Sequence, residues 1–92
     1  MVHILVRHAV ENFDAWHVGF VEDDARRVAG GQVGTPKLFR DVKSPNLVTI
    51  LLDWSSADAA EKFVSDPALA QVMQKVGVVG MPEVVALLSP AG

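Results

Sequence analysis

Three histidines, two tryptophans and one short run of mixed charge are the residues of this chain that could do chemistry. Residues 12 to 20, NFDAWHVGF, bring Phe13, Trp16, Phe20 and His17 together. At about 100° per residue, Phe13, Trp16, Phe20 and Val28 fall on one stripe of a helix. With Phe13 as zero, His17 lies near about 40°, Asp24 near about 20° and Arg27 near about 320°. These polar residues share the aromatic face, where burial is unfavourable unless they pair or line a wet cavity. Arg27 is within one turn of Asp24 and can pair with it. His17 and Asp24 stand roughly 10 Å apart along the axis, so a water or a substrate would have to join them. A histidine in such a pocket, near its ordinary pKa, suits proton transfer. The opposing expectation is that the second half of the helix passes the sheet edge and leaves these residues solvated.

The other candidates each have two uses. His8, on a strand beside Ile4 and Val6, is a general base or a hydrogen-bonded core or interface histidine, and the second is commoner. Trp16 stacks on an aromatic substrate or simply packs the core, again the commoner use. Asn12 could orient a substrate oxygen, but its position explains it fully as a helix cap. Arg7 and Arg40 lie on strands and could hold a carboxylate or phenolate; an inter-strand or inter-subunit ion pair is the commoner role. His3, His8 and His17 lack ligand spacing, and no metal is expected. With no cysteine, zinc-thiolate sites, iron–sulfur clusters and cysteine nucleophiles are excluded. GGQVG has no preceding strand and no following G-K-S/T, so it is not a phosphate loop.

The 92 residues suffice for one small domain spanning 1–92. Half are hydrophobic, so the chain is globular. A net charge of −3 with mixed signs argues against a nucleic-acid or anionic-membrane surface. No apolar run approaches the roughly 20 residues of a membrane span. MVHILVRHAVENF lacks a charged leader and cleavage site and reads as mature sequence, with a bacterial cytoplasmic protein as the default.

The elements that must position these residues are legible. VHILVRHAV (2–10) is a strand apolar on both faces, with Ile4, Val6, His8 and Val10 on one side and Leu5, Arg7 and Ala9 on the other. A helix follows, capped by Asn12 and stopped by Gly30 and Gly31. QVGTPKLFRDV (32–42) is a strand that Pro36 confines to an edge or bulge. KSPN turns the chain into LVTILLDW (47–54), a second two-sided strand, completing a hairpin. SSADAAEKFVSD (55–66) is a helix, and Asp66-Pro67 opens another that ends at Gly77. VVGMP (78–82) reads as a loop, with GVVGMP a flexible lid or a plain strand lead-in. EVVALL (83–88) is the last strand.

The order β-α-β-β-α-β is a ferredoxin-like α+β unit, a four-stranded antiparallel sheet with its helices on one face. Its other face is apolar on the first and third strands, and one protomer cannot bury it. A second copy packed sheet to sheet, a homodimeric α/β barrel, is the expected solution.

VRHAVENFDAWHVGF, LFRDVKSPNLVTILLDW, AEKFVSDPALAQVM and GVVGMPEVVALL together resemble the small dimeric α/β-barrel proteins of the antibiotic biosynthesis monooxygenase-like superfamily, most closely its short, cyclase-like members. The resemblance covers nearly the whole chain. It implies a small hydrophobic pocket between helices and sheet, with an Asn and a Trp four residues later lining it. Asn12 and Trp16 have that spacing, and Arg40 could be the basic partner. The tyrosine of such sites has no counterpart, because this chain has none. In the haem-degrading branch Trp54 could serve, but neither later helix has a histidine, so haem is not expected and no cofactor is assigned.

Two functions follow. One is a cofactor-independent monooxygenase or cyclase acting on an aromatic or polyketide-like molecule, with His8 or His17 as base. The other is a non-enzymatic domain that binds a small apolar ligand or acts as an interaction module. They are separated by whether a pocket lies beneath Trp16 and whether His17 and Asp24 face it. RNA binding fails because strand LVTILLDW lacks stacking aromatics and flanking basic residues.

Overall fold

The computed structural model describes residues 1–91. Strand β1 (Val2–Val10) leads to helices α1 (Phe13–Glu22) and α2 (Asp24–Gly30), then to β2 (Gln32–Arg40) and β3 (Leu47–Trp54). Helices α3 (Ala57–Ser65) and α4 (Pro67–Lys75) precede β4 (Val78–Leu88). The sheet is antiparallel with order β2-β3-β1-β4, so the two-sided strands β1 and β3 are central, as expected. Ile4, Val6, His8 and Val10 of β1 and Val48, Ile50, Leu52 and Trp54 of β3 are buried beneath the helices. The alternate residues Leu5, Leu51, Thr49 and Ala9 are only half-buried on the open face.

Side-chain caps fix the helix starts. Asn12 Oδ1 accepts from the Ala15 amide at 3.0 Å and Ser56 Oγ from the Ala59 amide at 3.2 Å. Asp66 Oδ1 accepts from the Ala68 amide at 2.9 Å, with Pro67 at the first helical position.

Two expectations are corrected. The first helix is broken at Asp23, whose carboxylate takes a two-pronged bond from Arg26 (Nε 2.9 Å, NH2 2.9 Å) instead of capping α2. Past the break the stripe holds only in part: Val28, expected on it, is exposed, whereas Arg27, expected on the same face, is buried. The presumed loop VVGMP belongs to β4, which starts at Val78 and carries a register shift opposite Arg7 and Ala9. An edge strand tolerates Pro82 and a bulge because its outer hydrogen-bonding groups are free. Pro36 likewise lies in edge strand β2, within a register shift between Val33 and Lys37.

Candidate functional site

Helix α1 lays Trp16 and Phe20 over the sheet, their rings 5.0 Å apart. Beneath them lies a cavity of about 60 Å³, walled by Ile4, Val6, Ile50 and Leu52 of the sheet and by Phe63, Val72 and Met73 of α3 and α4. Its surface is apolar except at two places. His8 reaches it from β1, and Asp23, Arg26 and Arg27 close one end.

His8 is 2% exposed, and neither ring nitrogen has a hydrogen-bond partner among the described residues. Its ring meets the Trp16 ring edge-on at 5.7 Å. Burial pushes the imidazolium pKa below the ordinary histidine value, so the neutral ring is favoured. That ring carries one N–H donor and one free lone pair. A buried histidine in this state can accept a proton from a guest in the cavity and return it.

Arg27, 4% exposed, is already engaged. Its Nε donates to Gln32 Oε1 at 2.9 Å and its NH1 to the Phe20 carbonyl at 2.8 Å. The guanidinium lies 3.7 Å from the centre of the Phe20 ring. Gln32 Nε2 in turn donates to Asp24 Oδ1 at 2.9 Å. Desolvation lowers the Arg27 pKa, opposed by the charges of Asp23 and Asp24. This network clamps α2 to the start of β2. Gln32, buried and central to it, was not singled out from sequence, where a lone glutamine after two glycines carries no signal.

The other candidates lie elsewhere. His17 and Asp24 share a surface groove with Thr35, Pro36 and Leu38. The Phe20–Arg27 stack stands between that groove and the cavity, lining both. His17 is exposed and stacks on Phe13 at 5.6 Å. Arg40 covers the Phe13 ring at 4.1 Å and donates from Nε to the Pro45 carbonyl at 2.8 Å. Trp54 is buried outside the cavity, its indole N–H donating to the Gly30 carbonyl at 3.0 Å. Asn12 caps α1 and lines an outer groove, with no part in the cavity wall. The structure therefore brings His8 and Trp16 together at the cavity, with Arg27 at its end, and leaves Asn12, His17, Asp24, Arg40 and Trp54 outside. Gly19, unremarked in sequence, lines the cavity too. A glycine inside an amphipathic helix was the available signal for a close approach.

Among the described residues, no cluster of acidic, histidine or cysteine side chains could hold a metal ion. Among the described residues, no helix is long and apolar enough to cross a membrane.

No family profile and no curated protein matches the chain. Solved structures do match. One is from Bordetella bronchiseptica, assigned by name only to the antibiotic biosynthesis monooxygenases; it is 16% identical, with a TM-score of 0.77 over 98% of this chain and 96% of that one. SnoaB from Streptomyces nogalater, a cofactor-independent oxygenase, is 17% identical, with a TM-score of 0.74 over 99% and 93%. A conserved protein from Methanosarcina mazei, 9% identical, has a TM-score of 0.68 over 94% and 88%. In fold, this chain resembles the antibiotic biosynthesis monooxygenase-like α/β proteins, with a buried histidine facing its cavity.

Proposed function

We propose that this chain is a cofactor-independent monooxygenase or cyclase acting on an aromatic, polyketide-like small molecule, and that it works as a homodimer. The observation that carries the reading is His8: a neutral, unpaired imidazole facing an apolar cavity under a tryptophan. Leaving a buried polar group without a partner is unfavourable by about 1–3 kcal/mol, and such a group suits a ligand that completes it.

In the oxygenase reaction, His8 takes the proton of a phenolic hydroxyl. The phenolate transfers one electron to dioxygen, and the resulting phenoxyl radical and superoxide couple at a ring carbon bearing hydrogen. The peroxide anion recovers the proton from His8. Loss of the ring C–H proton and cleavage of the O–O bond release water and leave a quinone carbonyl. One oxygen atom enters the product and the other leaves as water. A base whose pKa is lowered by burial favours hydroxyls already acidified by a neighbouring carbonyl or an extended ring. Trp16 supplies a flat wall for the ring, and the apolar lining excludes water.

The homodimer is supported by the open sheet face. Phe39 there is 55% exposed, and Val84, Leu88 and Val33 are exposed beside half-buried Leu5 and Leu51. These apolar side chains share the face with the His3–Asp53 pair and Arg7, and a second copy packed on it would bury them together. A ligand-binding domain without catalysis is the second reading, favoured by the Arg27 network, whose hydrogen bonds to Gln32 and Phe20 occupy the polar end of the cavity.

The test is oxygen uptake in air with a panel of hydroxylated fused-ring aromatics, in chelator and without flavin. The proposal expects uptake equimolar with quinone formed, abolished in His8→Leu. Tight binding without oxygen uptake across the panel would replace it with the second reading.

A further inference from the structure

The cavity volume of about 60 Å³ is well below the roughly 150 Å³ of an apolar cavity that takes up benzene. A ring-sized guest therefore needs a wall to move. The sheet side is the least able to move, since Ile4, Ile50 and Leu52 are buried and paired within the central ladders. The α4 side differs, because no residue of α4 is fully buried.

On that side the wall is shared with outer grooves at two places: Val64, Leu69, Met73 and Val78 line one, and a glycine facing a single valine lines the other. Gly19 of α1 and Val76, at the end of α4, line the cavity and also line a groove on the outer surface. They are the residues common to both. A Cβ built on Gly19 would overlap Val76 Cγ1, so the valine methyl fills the space that a side chain at 19 would occupy. The backbone beside Val76 is held: its amide donates to the Val72 carbonyl at 3.0 Å, and the Gly77 carbonyl accepts from the Glu11 amide at 2.9 Å. The isopropyl group of Val76 is therefore what can turn aside without breaking a backbone hydrogen bond.

We propose that the Gly19–Val76 contact is the entrance to the cavity, and that the side chain at position 76 sets the size of guest admitted. The inference rests on the cavity being the substrate site. The groove outside has Glu11 and Glu22 against a single Lys75. That excess of negative charge disfavours anions, so the guest class is a neutral, largely apolar ring. A phenol enters protonated and ionises only at His8.

The test compares wild type, Val76→Ala and Val72→Ala, with dissolved xenon as probe and its exchange rate read by NMR magnetisation transfer. Val72 lines the cavity but not the outer groove, so truncating it enlarges the cavity by the same two carbons and leaves the partition closed. Exchange at least about tenfold faster in Val76→Ala, with Val72→Ala within about twofold of wild type, is expected. Equal rates in the two variants, or exclusion of xenon from Val76→Ala, overturn the proposal. Val76→Ile covers the case where truncation unfolds the chain: slower exchange than wild type supports the entrance, and an unchanged rate overturns it. Xenon needs no turnover, so a chain that admits xenon here but consumes no oxygen loses the catalytic reading and keeps the entrance.

Discussion

Replacing His8 with leucine should make this protein more stable. His8 is 2% exposed, and both ring nitrogens lack partners among the described residues. A buried, unpaired polar group costs about 1–3 kcal/mol, and an apolar side chain of similar volume removes that cost. The edge contact with Trp16 is lost, which takes back about 0.5–1.5 kcal/mol. The net expectation is a gain of about 0.5–1.5 kcal/mol in urea unfolding near neutral pH.

Acidification should widen the gap. Burial holds the folded-state pKa of His8 below the 6.5 of the unfolded chain. Between the folded value and 6.5, the unfolded state therefore binds more protons than the folded state. Stability contributed through His8 is intact above 6.5 and is lost as pH falls through that window. The leucine variant lacks this loss, while every other titrating group is common to both proteins. Its advantage in urea midpoint should thus be larger near pH 5 than near pH 7. A variant less stable than wild type at both values, or one whose advantage does not grow with acid, would refute the description of His8 as a buried unpaired base. The same substitution should abolish turnover, so stability and function are opposed at this residue.

Two further outcomes follow from other parts of the fold. Arg27→Met leaves Gln32 Oε1 and the Phe20 carbonyl without their donor, and should lower stability by about 2–4 kcal/mol in urea unfolding; a change under about 1 kcal/mol would show that the clamp is dispensable. Leu51→Asp puts a charge in the middle of the open sheet face and should halve the mass seen by sedimentation while leaving the far-UV spectrum intact; an unchanged mass would show that this face is not the homodimer contact.

The fold was legible because its deciding signals are local. Strands β1 and β3 are apolar on both parities, and that pattern alone places them at the centre of the sheet, where the structure has them. Asn12, Ser56 and Asp66 cap helices through their own side chains. The start of β4 was illegible for the same reason. Gly80, Met81 and Pro82 carry turn residues, and only the pairing of Val79 and Val78 with Ala9 and Val10 of β1 shows that the chain is still in the sheet.

The site was legible only in part, and the reason lies in one residue. A helical wheel assumes one phase along its whole length. On that wheel the aromatic stripe centres between Trp16 and Phe13, which puts His17 at the margin roughly 70° away. A neighbouring element decides what happens to a marginal residue, and here Phe13 stacks on His17 at the surface. Beyond Asp23 the wheel applies only in part. Arg27 stays inward, as the wheel has it, but Val28 goes to solvent and Asp24 faces the outer groove and not the cavity. His8 needed no wheel, because strand parity set it on the inner face with Ile4 and Val6. What parity cannot say is whether a partner waits there. The residues that surround His8 include Trp16, edge-on against its ring, and Val48 across the strand pair, and neither offers its imidazole a hydrogen bond. The functional signal is thus the absence of a contact between elements distant in sequence, which only the assembled fold can show.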